Sequence, residues 1–165
     1  IMEAIFVAIT NAEDHVYITT PYFIPNSEIV TALQVTARSN IKVKIIVPKT
    51  SDSWIAEYAT NSYLESLLEA GVEVYRYTKG FIHAKTMVVD GVFSTVGTTN
   101  MDYRSFNINF EVNALIYNKD ISNQLTEFFN DDLKDCEQLD LKSWQQRSKQ
   151  TKLIESVARL MAPLL

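Results

Sequence analysis

Two runs of apolar and β-branched residues flank an Asp-Gly pair in the stretch Ile82-His83-Ala84-Lys85-Thr86-Met87-Val88-Val89-Asp90-Gly91-Val92-Phe93-Ser94-Thr95-Val96. The Asp-Gly pair is suited to the positive φ angles of a two-residue hairpin turn. The stretch therefore predicts an antiparallel pair of strands over residues 82–89 and 92–96. Because a hairpin cannot belong to an all-parallel sheet, this stretch indicates a mixed sheet.

Upstream of the hairpin, helical and strand patterns alternate. Helices are predicted over residues 3–12, 28–38 and 53–69, and strands over residues 15–20, 41–47 and 72–77. Asn26 or Ser27 is the expected N-cap of the second helix, and Ser51 or Asp52 that of the third. Gly71 is expected at the C′ position that ends the third helix. This alternation favours parallel strands that are joined by helical crossovers.

Downstream of the hairpin, the pattern predicts one further strand and two helices. The strand covers residues 111–117, and the helices cover residues 120–133 and 142–162. No internal repeat, low-complexity tract or linker interrupts the sequence, so we expect a single domain over residues 1–165. The expected fold class is α/β, with helices on both sides of a mixed, largely parallel sheet that includes an antiparallel hairpin.

The composition is that of a globular domain, with 165 residues of which 47% are hydrophobic and 21% charged. The net charge of −5 argues against binding to nucleic acid, since such proteins rely on attraction to phosphates. One Cys and two His do not suffice for a structural zinc cluster, so no metal is expected. The start at Ile1 before Met2, inside an apolar helical pattern, indicates a piece of a longer protein.

The chemically informative residues lie in the first strand of the hairpin. His83 and Lys85 are two positions apart, so in a strand their side chains share one face. There the ammonium group can neutralise phosphate oxygens while the imidazole acts as nucleophile or proton carrier. This pair predicts phosphoryl-type chemistry. Asp90 has the opposite parity and lies in the turn, so a structural role is as well supported for it as a chemical one.

Polar residues after the hairpin complete the candidate site. The loop 96–100 ends the second hairpin strand, and its Thr98 and Asn100 provide hydroxyl and amide groups that can bind phosphate oxygens. Glu111 opens the next predicted strand. Its carboxylate is expected to accept the other ring N–H of His83 and thereby to hold one tautomer. The alternative for Glu111 is a solvated residue at the start of a strand.

These residues together resemble the phospholipase D superfamily. The His-x-Lys-x4-Asp motif of that family stands here as His83, Lys85 and Asp90, and its Gly-x-x-Asn motif as Gly97 to Asn100. The glutamate of the family stands here as Glu111. More narrowly, residues 19–25, 81–85 and 159–165 resemble the carboxy-terminal catalytic half of bacterial cardiolipin synthases, and this resemblance covers essentially the whole chain.

The resemblance implies a phospholipase D-like α/β/α sandwich and a phosphatidyl transfer between two phosphatidylglycerol molecules that releases glycerol, through a phosphohistidine and without metal or nucleotide cofactor. It implies two motifs, with the active site where they meet. Only one motif is present here, so we expect this chain to be inactive alone and to need the amino-terminal half of the same enzyme or a second copy. His83 is then the general acid and later the general base. The catalytic candidates are His83, Lys85, Asp90, Asn100 and Glu111.

Two other functions remain open at this point. One is a phosphodiesterase or nuclease that is active as a homodimer of single-motif chains, which the net charge of −5 disfavours. The other is a non-catalytic binding or dimerisation module. By resemblance, the full-length protein is expected at the bacterial membrane, with its catalytic domain on the cytoplasmic face, and the present piece is expected to be soluble.

Two further segments have alternative interpretations. Tyr22 and Phe23, between two prolines, either line the mouth of the substrate site or pack over the sheet edge. We list them with Thr98 as substrate-binding candidates. The last predicted helix is basic and amphipathic, which fits contact with a membrane surface. Packing of its apolar face, which includes Val157 and Leu164, against the core is the favoured interpretation.

Overall fold

The computed structural model describes residues 1–161 of the chain. Its helices are α1 (Met2–Thr10), α2 (Ser27–Arg38), α3 (Trp54–Glu69), α4 (Tyr103–Asn107), α5 (Lys119–Leu133), α6 (Leu141–Gln145) and α7 (Lys149–Leu160). Its strands are β1 (His15–Thr19), β2 (Phe23–Ile24), β3 (Lys42–Pro48), β4 (Glu73–Tyr77), β5 (Thr86–Val89), β6 (Phe93–Gly97), β7 (Met101–Asp102), β8 (Asn113–Ile116) and β9 (Cys136–Gln138). Leu164 and the end of the 159–165 motif lie outside the described residues.

A mixed sheet of seven strands forms the centre of the fold, in the order β8-β6-β5-β1-β3-β4-β9. The neighbours β1, β3 and β4 run parallel, as the alternating pattern predicts. The hairpin β5–β6 joins them antiparallel through β1, and β8 and β9 extend the two edges antiparallel. The predicted mixed sheet with an antiparallel hairpin is therefore confirmed.

Helices cover both faces of this sheet, because side chains alternate between the faces along each strand. Val16 and Ile18 of β1 pack on the side of α1, α2 and α3, in the larger core cluster. Tyr17, between them in sequence, points to the other side and stacks on Phe129 of α5 with ring centroids 4.7 Å apart. The arrangement is the expected α/β/α sandwich, with α6 and α7 packed on the outside of α3.

The helix ends follow the predicted caps in two of three places. Asn26 caps α2, with its side chain accepting the backbone N–H of Ile29. Gly71 adopts φ +94° directly after α3, as expected for a C′ glycine. The N-cap of α3 is Ser53 rather than Ser51 or Asp52. This one- to two-residue shift leaves the carboxylate of Asp52 available for another contact.

The hairpin differs from the prediction at both ends. Regular pairing of β5 begins only at Thr86, so residues 81–85 lie before the strand. Val89 pairs with Phe93, which makes the connection three residues long rather than two. Asp90 and Gly91 both have positive φ, +54° and +63°, as the Asp-Gly pair predicts. Val92 is the third residue of the turn, and its N–H donates to the carbonyl of Val89.

The last predicted helix, 142–162, is two helices with a break at residues 146–148. Ser148 is the N-cap of the second of these helices, α7, and its hydroxyl accepts the N–H of Thr151. The expected packing of the apolar face against the core is wrong for the described residues. Leu153 and Val157 are exposed to solvent, whereas Glu155 is buried. The physical reason is that Lys152, on the polar side of α7, pairs with Glu65 of α3, and Glu155 on the same side pairs with Arg147 just before α7.

Four short elements, β2, β7, β9 and α4, are absent from the sequence prediction, because two to five residues are too few to show a periodicity. Two of them matter for the site. β2 and β7 pair in parallel, Phe23 with Met101 and Ile24 with Asp102, and so join the loop after β1 to the loop after β6. Among residues 1–161, no helix is long and apolar enough to cross a membrane.

Candidate active site

The candidate site lies at the edge of the sheet where the three parallel strands end. The loops 20–25, 49–53 and 78–85 leave β1, β3 and β4 at this edge. Loop 98–100, which follows β6, joins them through the β2–β7 pair. Ligand sites of open α/β sheets commonly lie at the carboxyl ends of the parallel strands. The sheet topology thus gathers segments that are far apart in the sequence.

His83 and Lys85 meet in this region, although neither belongs to the strand. The ammonium nitrogen of Lys85 lies 3.0 Å from Nε2 of His83 and donates to the His83 carbonyl at 3.0 Å. Gly97 donates its N–H to the Lys85 carbonyl, so the chain remains extended ahead of β5. The predicted side-by-side placement of His83 and Lys85 therefore holds, even though the predicted strand boundary does not.

Burial lowers the pKa of Lys85 below its ordinary value, and the nearby carboxylates of Glu111 and Asp102 oppose this shift. A partly desolvated ammonium interacts with an anion more strongly than one in open water. The two carboxylates favour its charged form. Lys85 is thus a cation suited to holding phosphate oxygens beside the imidazole of His83.

An aromatic contact supports His83 from the side. The ring of Phe81 lies 5.6 Å from that of His83 and 5.9 Å from that of Tyr22, measured between centroids. The Tyr22 hydroxyl donates to Asp52 at 2.7 Å. Burial, together with this contact, raises the pKa of Tyr22 to about 12. Tyr22 therefore lies near His83, with Phe81 between them, as the sequence interpretation allowed.

Phe23 does not lie at the mouth of the site, and its assignment as a substrate-binding residue is a correction. Its side chain is fully buried in the main core. Its ring packs edge-on against Tyr63. The physical reason is that Phe23 begins β2, where its pairing with Met101 carries its side chain into the core, whereas Tyr22 lies in the loop before this strand. The alternative interpretation, packing at the sheet, applies to Phe23.

Asn100 lies in the loop that β7 ties to the parallel strands. The hydroxyl of Thr20 accepts the N–H of Met101 at 3.2 Å, which fixes this loop. The backbone N–H of Asn100 donates to Ser105 at 3.3 Å. Oδ1 of Asn100 and Oγ1 of Thr99 are buried, and neither has a hydrogen-bond partner among the described residues. Such unmet polar atoms favour a polar ligand here, because buried polar groups are nearly always paired.

Glu111 has partners other than the predicted one. Its carboxylate accepts hydrogen bonds from the hydroxyl of Thr98, from Ser105 at 3.4 Å and from the amide of Asn109 at 3.3 Å. These contacts hold the loop after β6 together, and the expected bond from the His83 ring is not among them. Glu111 also precedes β8 rather than opening it. The hydroxyl of Thr98, a substrate-binding candidate, thus donates its hydrogen bond to this carboxylate.

Asp90 lies at the far end of β5 from His83. The strand between Lys85 and Asp90 places them about 16 Å apart at roughly 3.3 Å per residue. The Asp90 carboxylate accepts the backbone N–H groups of Glu13, Asp14 and His15 at 2.8–2.9 Å. The structure thus brings His83, Lys85, Asn100 and Glu111 to one region and leaves Asp90 outside it, in a structural role.

The sequence reasoning missed Asp52 and Phe81 as members of the site. Asp52 was interpreted as a helix cap, and its carboxylate instead holds Tyr22. Phe81 was noted only as part of the segment before His83. A usable signal existed for Phe81, since it lies two positions before His83, the same spacing that pairs His83 with Lys85.

Comparison with known proteins relates this geometry to others. Residues 5–133 match the family described as "Cardiolipin synthase, PLD-like domain". The cardiolipin synthase of Geobacillus sp. strain WCH70 is 47% identical over 160 residues, which is 97% of this chain and 32% of that protein. The chain thus spans about a third of the length of the curated relatives it matches.

Two solved structures share the fold at low sequence identity. Phosphatidylserine synthase of Haemophilus influenzae superposes with a TM-score of 0.80 at 16% identity, over 99% of this chain and 44% of that chain. Nuc of Salmonella typhimurium, a phospholipase D family member, superposes with a TM-score of 0.73 at 20% identity, over 84% and 90%. These likenesses confirm the expected fold class.

Proposed function

The chain belongs to the family of PLD-like domains of cardiolipin synthases, as its motifs predicted, and from this premise we propose that it supplies one half of a phosphatidyl-transferring site. The reaction joins two phosphatidylglycerol molecules into cardiolipin and releases glycerol. The observation that carries the proposal is the His83–Lys85 contact at 3.0 Å, beside the unpartnered polar atoms of Thr99 and Asn100. Together these groups offer a cation, a proton carrier and polar contacts to one phosphodiester.

The proposed roles follow from the chemistry of each group. The Lys85 ammonium holds a non-bridging phosphate oxygen and offsets its charge, and Asn100 contacts the same phosphate. His83 carries the proton, because an imidazole nitrogen can both accept a proton and donate it. Glu111 acts indirectly, by holding the loop 98–105 through Thr98 and Ser105.

One histidine is insufficient for a covalent route, so the second comes from another motif. In the first step a nitrogen of that second histidine attacks phosphorus, and the bond from phosphorus to the oxygen of the headgroup glycerol breaks. His83 gives its proton to the leaving oxygen. In the second step His83 takes the proton of the acceptor hydroxyl, whose oxygen attacks phosphorus while the phosphorus–nitrogen bond breaks. The imidazole of each histidine is regenerated.

The surface next to the site supports a partner half. Ile108, Phe110 and Val112 flank Glu111, and all three are exposed, with Phe110 fully so. The strand that follows, β8, is an edge of the sheet. Exposed apolar side chains at a site rim are characteristic of interaction surfaces. The partner is the amino-terminal half of the same enzyme or a second copy of this chain.

The substrate is an anionic phospholipid, so the proposal places the longer protein at the bacterial membrane, with this domain on the cytoplasmic face. The 45–47% identity to cardiolipin synthases supports the choice of phosphatidylglycerol. Nucleic acid is not the proposed substrate, because the net charge of −5 opposes it.

The test is a phosphatidyl-transfer assay on phosphatidylglycerol vesicles with a chelator present. It compares this chain with the longer protein that contains it, and the longer protein with its His83→Gln variant. The variant is expected to lose at least about a thousandfold in rate, since a general acid–base group contributes roughly 10²–10⁴ and this one serves both steps. His15→Gln is the matched control, because His15 lies at the start of β1, outside the site.

Four results would overturn the proposal or part of it. Full activity of the His83→Gln protein removes His83 from the chemistry. Cardiolipin formation by this chain alone replaces the two-half site with a homodimer of single-motif chains. Hydrolysis of single-stranded DNA in place of lipid transfer replaces the substrate class, and inactivity of both proteins on both substrates leaves a non-catalytic module.

A further inference from the structure

Helix α7 presents its apolar side to solvent. Leu153, Val157 and Leu160 follow one another at the four- and three-residue spacing that places side chains on one face of a helix. They are 65%, 55% and 82% exposed. Ile154 and Met161 border this row and are exposed as well. We call these five residues the α7 apolar face.

The opposite, polar side of α7 is fastened to the protein. Lys152 pairs with Glu65 of α3 at 2.9 Å. Glu155 is buried and pairs with Arg147, which also contacts Glu65 at 3.7 Å. The guanidinium of Arg159 lies 4.3 Å from the ring centroid of Tyr63. These contacts fix the rotation of the helix, so the outward direction of the apolar face is built into the fold.

From this arrangement we propose that the α7 apolar face docks on an anionic lipid surface. The argument is charge complementarity. The segment 141–161 carries five cations. Arg147 and Lys152 are paired with Glu155 and Glu65, whereas Lys142, Lys149 and Arg159 are exposed, with Asp140 close to Lys142. An exposed apolar row beside an excess of cations is the pattern of a helix that lies in the membrane interface.

The sign of this local charge is opposite to that of the whole chain. The net charge is −5, which repels an anionic bilayer at long range. Lys149 is exposed one helical turn before Leu153, and the exposed Arg159 is next to Leu160, so both contribute a positive field at the apolar face within one Debye length of about 8 Å. The charge distribution therefore orients the protein, with α7 toward the lipid surface and the acidic remainder away from it.

The position of α7 connects this surface to the site. Leu160 and Arg159 line a groove of about 1000 Å³ whose other wall includes Tyr103 and Asn107 of α4. Helix α4 starts directly after Asp102, whose charge acts on Lys85. A membrane in contact with the α7 apolar face therefore lies next to a groove whose lining includes α4, the helix that follows Asp102. The benefit of this placement rests on the proposed function, because it would bring the lipid substrate to the site. Docking itself can occur without phosphatidyl transfer.

The test is sedimentation of this chain with vesicles of phosphatidylglycerol and phosphatidylcholine in equal parts, compared with pure phosphatidylcholine. The chain is expected to sediment with the anionic vesicles and to dissociate as salt is raised. Leu153→Gln/Val157→Gln is expected to lower the partition coefficient at least about tenfold, since immersing one aliphatic side chain is worth that much. The matched control is Val7→Gln/Val35→Gln, which changes two exposed aliphatic residues on α1 and α2.

Two outcomes overturn the proposal. Equal partition of the α7 variant and the control shows that the apolar face is not in the bilayer. A concentration-dependent dimer in sedimentation equilibrium that the α7 variant abolishes, without vesicle binding, shows that a second copy covers the face. Because vesicle binding is measured without phosphatidyl transfer, docking can fail while the proposed activity stands, and the reverse also holds.

Discussion

At the scale of single residues, Asp90 shows how a motif position can be structural. Its carboxylate accepts three backbone N–H groups at the start of β1, while its own backbone adopts φ +54° in the hairpin turn. The carboxylate therefore joins the turn after β5 to the segment that begins β1. The spacing of the motif reflects this constraint, since the length of β5 separates the chemistry at Lys85 from the clamp at Asp90.

Replacing Asp90 with Ala is expected to destabilise the chain by about 2–3 kcal/mol. The change leaves the N–H groups of Glu13, Asp14 and His15 without their acceptor, and it places Ala at a positive φ that Asp and Asn adopt more readily. Asp90→Asn is the control, because Asn keeps one acceptor oxygen and tolerates positive φ, so it should lose less than half as much. Urea unfolding measures both. An Asp90→Ala midpoint equal to that of the unmodified chain would contradict the clamp.

Single-residue reasoning from the sequence identified the motif residues but not their partners. The contacts of Asp90 lie 75–77 positions away along the chain, and no local pattern reveals them. Tyr22 and Phe23 are neighbours and share one interpretation in the sequence, but Phe23 begins β2 and is buried in the core, whereas Tyr22 precedes β2 and lies beside the site. A two-residue strand is below the length at which alternation can be detected.

At the scale of elements, Gly97 explains how β8 reaches β6. A Cβ at Gly97 would collide with the Val112 carbonyl oxygen and with the side chain of Asn113. Gly97→Ala is therefore expected to push β8 and the Glu111 loop outward and to destabilise the chain by about 3 kcal/mol, as overpacking typically does. Thermal unfolding and urea titration both measure this loss.

The control for Gly97→Ala is Val96→Ala on the same strand, whose side chain is exposed and whose change should have a small effect. Equal stability of the two variants would show that β8 yields without loss. In that case Gly97 would have no packing role, and the structure would not explain why the Gly-x-x-Asn motif begins with glycine.

Helix α7 leads to a pH-dependent prediction for Arg147→Met. Burial raises the pKa of Glu155, and Arg147 counteracts this shift. A raised carboxyl pKa means that the folded state holds the proton more tightly, so stability from this group falls as pH rises above its ordinary value. Without Arg147 the pKa rises further, and the charged carboxylate is left buried at neutral pH.

Arg147→Met is therefore expected to lose about 3–5 kcal/mol near pH 7.5, and distinctly less near pH 5, because lowering the pH favours the neutral form of the buried Glu155 carboxyl, whose pKa is raised. Urea unfolding at the two pH values measures the difference. The loss of stacking on Trp144 is the same at both, so only the charge contributes to it. Arg147→Met/Glu155→Gln serves as control and should show no such difference. A loss in Arg147→Met that is independent of pH would disprove the charge account.

The sequence predicted the long elements well and the orientation of α7 poorly. Amphipathic periodicity indicates which residues share a face, but not whether that face points inward. For α2 the apolar face packs on the sheet, with Ile29 and Leu33 buried. For α7 the ion pairs with Glu65 determine the opposite orientation, and their partner residues lie 82–87 positions earlier in the sequence.

At the scale of the whole molecule, the rim beside Glu111 predicts dependence on a partner. Phe110 is fully exposed, so Phe110→Ser should leave the unfolding midpoint of this chain unchanged. In the longer protein the same change is expected to lower phosphatidyl transfer by about tenfold or more, as loss of an aromatic anchor does at interfaces. Phe128→Ser, at an exposed position on α5, is the matched control. Equal activity of the two variants would exclude Phe110 from the interface.

The parallel core β1-β3-β4 was predictable from the alternation of helices and strands, and its place in the whole sheet was not. The strand predicted over residues 111–117 is present as β8, but its position at an edge of the sheet was not predicted, and β9, with only three residues, was not predicted at all. The gathering of His83, Lys85, Asn100 and Glu111 was anticipated through the motif. The contacts that position them, from Asp52, Phe81 and Ser105, required the sheet order, which sequence patterns do not specify.

The short β2–β7 pair has a consequence for how the protein acquires its structure in time. It closes a long loop, since the hydroxyl of Thr20 and the N–H of Met101 that it accepts are 81 positions apart. Non-local contacts of this kind form slowly, because the intervening chain loses conformational entropy before the contact contributes any favourable free energy. During synthesis the parallel strands are complete long before Met101 leaves the ribosome. Competence to bind a phosphate should therefore appear only after the parallel strands have formed, because it needs the loop that the Thr20–Met101 contact fixes.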